Sequence, residues 1–271
     1  MNRIVMGISY DGSKWLGWQT QKHKNTVQDV LEYAISKFIS SSCEHKVSII
    51  CAGRTDAGVH AIIQVIHFDT IINRDMKSWI RGTNAFLPSS ISVLWARNLS
   101  FEFHSRFSAI ARNYTYILYR GKIRPSILYK KVGWTFKDIN INKLHNLSKN
   151  ILGTHNFNNF RSSGCQSKNP IKTIYDFNIY EYGSFIIFNI KGNAFLYHMV
   201  RNIIGALLQV ASDKKNEDWF INLINDPYNK KPICTFSPYG LYLSSIIYPD
   251  KFNLQESRIE NNNLFSIFKF Q

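Results

Sequence analysis

The sequence predicts an α+β protein built from two ferredoxin-like halves, and three observations support this. The order strand, helix, strand, strand, helix, strand of the first hundred residues is broadly repeated later in the chain without obvious residue identity. Apolar residues follow the helical period in some segments and alternate in others. A chain of 271 residues can also bury a large core, or two of ordinary size.

Arg3 to Tyr10 reads as the first strand, stopped by the turn pair Asp11-Gly12. Ser13 to Asn25 reads as a loop rich in Lys, Trp and Gln. The clearest helix follows it. Thr26 is a good N-cap with Asp29 three residues on, and Val27, Val30, Leu31, Ala34, Ile35, Phe38 and Ile39 recur at spacings of three and four. Val47, Ile49 and Ile50 lead into the loop Cys51 to Ala61, and Val65, Ile66 and Phe68 lead out of it. Within that loop Gly53 and Gly58 bracket one acid, Asp56. Flanking glycines allow positive φ and a close backbone approach to a ligand, although an Asp in such a loop is commonly a turn former bonded to its own backbone. A second helix near Met76 to Ala85 and a strand from Ile91 to Arg97 complete the first half, 1–105.

The second half, 106–271, opens with a strand from Tyr114 to Tyr119, a helix from Ile141 to Leu152, and a hairpin around Gly183. The stretch Ala194 to Ala211 is apolar at nearly every helical position and carries one unambiguous charge, Arg201. A buried guanidinium needs a counter-ion, so Arg201 and Asp56 are candidates for each other. A snorkelling side chain and a phosphate contact are the alternatives. Gly153 to Ile174 is a long polar segment suited to gripping RNA, Pro227 to Gly240 reads as loop, and Leu241 to Tyr248 is the last strand.

The 33 Lys and Arg against 18 Asp and Glu give +15, which favours a polyanionic partner, nucleic acid first. Cys43, Cys51, Cys165 and Cys234 show neither metal-ligand spacing nor a disulfide framework, so a reducing cytoplasm is the expected setting. The start lacks a secretory apolar region. Polar residues within the Arg201 helix argue against a membrane span.

Gly53-Arg54-Thr55-Asp56-Ala57-Gly58-Val59-His60-Ala61 resembles the catalytic loop of the tRNA pseudouridine synthase A (TruA) family. Four further stretches fit it in order: Tyr10-Asp11-Gly12 with Gly17-Trp18-Gln19; Phe103 to Phe107 running on to Ala111 through Tyr116; Asn193-Ala194-Phe195 with His198 through Asn202; and Gly240 to Leu243. The resemblance implies a pseudouridine synthase fold, two ferredoxin-like halves joined in a mostly antiparallel sheet with a central basic cleft. It implies isomerisation of uridine to pseudouridine at positions 38 to 40 of the tRNA anticodon stem-loop, by a homodimer that needs no cofactor and no metal. Asp56, Arg201 and Tyr114 take the catalytic positions. Arg201 would hold the Asp56 carboxylate charged and oriented, and Tyr114 would stack on the target base and receive the C5 proton. Arg54, Leu241, Arg106 and Arg112, with Tyr114, are the expected substrate contacts, Leu241 at the uracil pocket. His60 and His198 read as structural. Two other classes compete: a non-catalytic RNA-binding protein, against which Asp56, Arg201 and Tyr114 all stand, and a metal-dependent nuclease, for which one loop carboxylate is too few.

Overall fold

The structure is a computed structural model that describes residues 1–40, 46–229 and 232–257. Cys43 lies outside the described residues. The chain divides into two compact units. The first comprises residues 1–55, 61–110 and 243 onward; the second comprises 56–60 and 111–242. This differs from a division at 105, because the chain returns to the first unit at its end and because the short piece Asp56–His60 packs with the second. Such a piece is assigned by side-chain partners far away in sequence, which periodicity does not report.

In the first unit β1 (Asn2–Tyr10) leads, after the capped turn at Asp11, to α1 (Val27–Ile39), β2 (Ile50–Cys51), β3 (His60–Thr70), α2 (Met76–Asn84) and β4 (Ile91–Leu99). The strands run in the order β4-β1-β3, with β2 on β3, and every pairing is antiparallel. That is the order of a ferredoxin-like sheet. The Thr26 side chain caps α1 by accepting from the Asp29 N–H, and the apolar face of the helix buries Val27, Leu31, Ala34 and Ile35. Phe38 of α1 and Phe68 of β3 both meet the ring of Trp79 on α2 edge-on, at 5.2 and 5.4 Å. A Cβ at Gly82 would stand 2.0 Å from the Phe38 ring, so the absence of a side chain there lets the two helices close on each other. The run before the Asp56 loop is shorter as a strand than its apolar residues suggest, only Ile50–Cys51.

In the second unit β5 (Ala111–Arg120) is followed by β6 (Gly133–Thr135), α3 (Ile141–Ser148), β7 (Gly153–Asn156), β8 (Ile171–Tyr182), β9 (Phe185–Gly192), α4 (Met199–Ala211) and α5 (Glu217–Asn225). The order is β5-β9-β8-β7, antiparallel throughout, with β6 parallel to β5. β5-β9-β8 therefore repeats the order β1-β3-β2 of the first unit. The polar segment expected to be loop from Gly153 to Ile174 contains β7, a 3-10 turn and the start of β8, which leaves 161–170 as loop. β10 (Leu241–Ile247) closes the fold; Leu241 and Tyr242 group with the second unit and the remainder with the first. α4 is buried on most sides but begins at Met199, later than its apolar run, because His198 adopts a left-handed conformation. Among the described residues no helix is long and apolar enough to cross a membrane, and Cys51, Cys165 and Cys234 are free thiols.

His67 of β3 is 2% exposed, and its Nδ1 lies 2.8 Å from Ser105 Oγ. Burial, with the charges of Arg3 and His104, lowers its pKa from 6.5 to about 4. The unfolded chain binds this proton first, so stability falls as pH drops from about 6.5 to about 4. The expected contribution of His67 to this loss is about 2 to 3 kcal/mol. Thermal melts at pH 7 and pH 4.5 check it: His67→Gln should start less stable at pH 7 and lose less on acidification than the unmodified protein.

Candidate active site

The residues that meet in the second unit come from the Asp56–His60 piece, the first turn of α4, and the loop before β10. Gly58 has φ +80, and a Cβ there would lie 2.9 Å from the Tyr239 ring and 3.1 Å from Pro238. Glycine is thus required both for the turn and for the approach to that loop. His60 anchors the far end of the piece. Its ring stacks on Tyr242 at 4.6 Å, and its Nε2 is 2.9 Å from the Lys130 carbonyl. At the near end Thr55, in the first unit, is held by Tyr10 Oη at 2.7 Å and by the Trp18 N–H. Asp56 is the first residue beyond it.

The Asp56 carboxylate accepts from Arg201 Nη1 at 3.0 Å, and the two side chains are 15% and 12% exposed. The lone acid and the lone base of the sequence do meet. Arg201 is itself fixed, since its Nε donates to the Phe236 carbonyl at 2.9 Å while the Phe236 N–H donates to the Arg201 carbonyl. The guanidinium therefore spans a backbone acceptor and the carboxylate at once, with two of its nitrogens in the fixed geometry of one planar group. Gly205, one turn further along α4, makes this possible: a Cβ there would stand 2.1 Å from the Cys234 carbonyl oxygen. Asp56 also contacts the cap residue and the third residue of α4, and so lies at the positive end of that helix.

His198 also faces the carboxylate, with Nε2 3.6 Å from the same Oδ2. Burial lowers its pKa, Asp56 opposes that, and Arg201 adds to it, so the ring is neutral near pH 7. Burial and the Asp56 charge raise the pKa of Tyr197. His198, which reads as structural in the sequence, thus faces the Asp56 carboxylate, and the motif held the one signal of this, a histidine three residues before Arg201.

Tyr114 lies on β5 opposite Ile190 of β9, is 8% exposed, and meets the Phe195 ring edge-on at 5.0 Å. Arg112, two residues earlier, is buried, and its Nη1 donates to the Asn193 carbonyl at 2.8 Å. Leu241 is buried at the start of β10, directly after Gly240. The buried Tyr116 hydroxyl donates to the Ser237 and Tyr239 carbonyls, both at 3.0 Å, and so fixes the loop ahead of Leu241. In the first unit Arg54 and Arg106 are both exposed, and both act electrostatically on the Cys51 thiol, which burial nevertheless pushes up to about 12. The structure thus brings Asp56, Arg201, Tyr114, Leu241 and Arg112 into one unit, and Arg54 and Arg106 into the other. Among the described residues no group of three His, Cys, Asp or Glu gathers as metal ligands would.

Residues 6–108 and 147–249 match the family model described as tRNA pseudouridine synthase, one stretch in each half of the chain. The chain belongs to the tRNA pseudouridine synthase family, and its enzymatic class is that of an isomerase in tRNA processing. More particularly, its relatives carry the name tRNA pseudouridine synthase A. That of Bordetella avium is 48% identical over 256 residues, 94% of this chain and 95% of its own. That of Janthinobacterium sp. (strain Marseille) is 45% identical over 265 residues, 96% of each. That of Bordetella petrii is 43% identical over 270 residues and the full length of both. The resemblance carried by the five motifs is therefore shown.

Gly240 gives the sharpest stability test of this unit. It has φ +97, and a Cβ would fall 2.4 Å from the Gly133 nitrogen and 2.5 Å from the Ile117 oxygen. Gly240→Ala should cost about 2 to 3 kcal/mol in denaturant unfolding, through backbone strain and displacement of β6.

Proposed function

We propose that this enzyme converts uridine to pseudouridine at positions 38 to 40 of the tRNA anticodon stem-loop, with the Asp56 carboxylate as nucleophile or electrostatic stabiliser. The observation that carries the reading is the Asp56–Arg201 pair, 3.0 Å apart and mostly withdrawn from solvent at the head of α4. An anionic oxygen held in one orientation by a fixed cation is suited to the chemistry required. The bond from C1′ to N1 breaks, the base turns, a bond from C1′ to C5 forms, C5 loses a proton and N1 gains one. The product has the same composition as the uridine, the proton lost from C5 being replaced by one taken up at N1.

In this reading Arg201 orients Asp56 and balances its charge. Tyr114, braced by Phe195 and by the Arg112 contact with Asn193, stacks on the target base and receives the C5 proton. Leu241 lines the uracil pocket. Arg54 and Arg106 are exposed cations suited to the RNA backbone and to stabilising a base drawn out of its stack, which costs a few kcal/mol. The net charge of +15 supports a polyanionic substrate. The same reading carries a homodimer acting on tRNA in the cytoplasm.

The test uses tRNA transcripts labelled with tritium at uridine C5, with release followed without added metal or cofactor. The intact protein should release label, undiminished by a chelator. Asp56→Asn should bind the transcript and release at least about a thousandfold more slowly, the scale for loss of a reacting group. Tight binding with no release by the intact protein, on transcripts that a known synthase modifies, would instead make it a non-catalytic RNA-binding protein.

A further inference from the structure

His198 has no part in the chemistry described so far, yet its geometry is not that of a packing residue. Its backbone is left-handed, with φ 63, a conformation that costs a residue with a Cβ roughly 1 kcal/mol or more. As the cap residue of α4 it makes no side-chain cap hydrogen bond, so the ring is used elsewhere. Nδ1 lies 2.7 Å from Ser162 Oγ, and the Tyr197 ring packs against the imidazole at 3.9 Å between centroids. Nε2 faces Asp56 Oδ2 at 3.6 Å, the oxygen that Arg201 also contacts. His60, by contrast, turns a nitrogen to a backbone carbonyl and stacks on Tyr242, as a structural histidine does.

We propose that His198 is a positioning residue for Asp56: Ser162 donates its hydroxyl proton to Nδ1, the ring keeps its own proton on Nε2, and that N–H steadies the same Asp56 Oδ2 that Arg201 holds. Two donors on one oxygen fix the carboxylate plane and leave Oδ1 to the reacting nucleoside. The ring is neutral near pH 7, since burial lowers its pKa. A neutral N–H orients the carboxylate without adding a second full charge beside Arg201, which would blunt its reactivity. The present 3.6 Å is longer than a hydrogen bond, and such contacts tighten when substrate is bound. The charged groups that face the imidazole are Asp56 and Arg201, with the Tyr197 phenol beside it. Ser162 comes from the loop after the 3-10 turn that ends at Phe160. This loop also lines a pocket of about 400 Å³ with Asn202 and Thr235. The proposal rests on the reading of Asp56 as the reacting carboxylate.

The experiment follows tritium release from the same transcripts by the full chain carrying His198→Asn, His198→Gln or Ser162→Ala, with Asp56→Asn alongside. Asparagine accepts the left-handed backbone but is too short to reach Asp56. His198→Asn should therefore melt like the unmodified protein and lose about ten- to hundredfold in kcat with KM within about threefold, the scale of a misplaced reacting group. Glutamine places an amide N–H near the original Nε2, so His198→Gln should recover much of that loss, and Ser162→Ala should fall between. Wild-type kcat in His198→Asn would overturn the proposal. So would a kcat loss that glutamine does not recover, or one matched by a lower melting temperature. Activity retained by Asp56→Asn would refute the assignment of Asp56 itself, an outcome distinct from any failure at His198 alone.

Discussion

The second unit is arranged around one ion pair, Asp56 with Arg201, and most of its unusual features follow from the need to hold that pair partly out of water. A carboxylate and a guanidinium withdrawn from solvent must be compensated by each other and by further hydrogen bonds, since removing either leaves an unpaired charge that costs several kcal/mol. Arg201 meets this with a second bond, from Nε to the Phe236 carbonyl. That bond requires the backbone at 234–236 to lie against α4, and the absence of a side chain at Gly205 allows it. The positive end of α4 adds a favourable field at the acid. Asp56 is placed from the other direction, by the His60 stack on Tyr242 and by Gly58 under Tyr239. The loop from Pro232 to Gly240 thus touches Arg201 and, at Gly58, the short piece that carries Asp56, and the Tyr116 hydroxyl holds it in place.

The overall electrostatics and the local pair act on different problems. A large positive charge draws in a polyanion and raises encounter rates, but it does not distinguish one nucleoside from another. Chemistry at a glycosidic bond needs an anion that survives amid that positive field with a single orientation. Confining Arg201 to Asp56 and Phe236, while Arg54 and Arg106 remain exposed, separates, under the proposed function, the cation that would serve the reaction from cations suited to phosphate.

Much of this was legible in the sequence because it rests on local rules. α1 announces itself through Thr26, Asp29 and a regular apolar face, and the hairpin around Gly183 through alternation and a turn glycine. The pairing of Asp56 with Arg201 was suggested by the cost of leaving a lone buried charge unmatched, beside a snorkelling side chain or a phosphate contact, and the structure selects the pair. What was not legible depends on the tertiary frame. The apolar run from Ala194 suggests a helix five residues longer than α4, because periodicity cannot show that His198 turns left-handed; an asparagine or glycine there would have given a cue. The grouping of Asp56–His60 with the second unit depends on Tyr239 and Tyr242, more than 175 residues away. The approach of His198 to Ser162 and Asp56 was not legible either, because Ser162 lies in a polar loop with no periodic signature.

The most direct test of the central pair separates binding from chemistry in Arg201→Met, by measuring tRNA affinity and the single-turnover rate of pseudouridine formation with enzyme in excess. If Arg201 is committed to Asp56, the rate on bound tRNA should fall about a hundredfold or more while Kd stays within about threefold, with the salt dependence of binding unchanged. A weakening of Kd as large as the loss of rate, with a salt slope reduced by about one, would mark Arg201 as a phosphate contact and contradict the account.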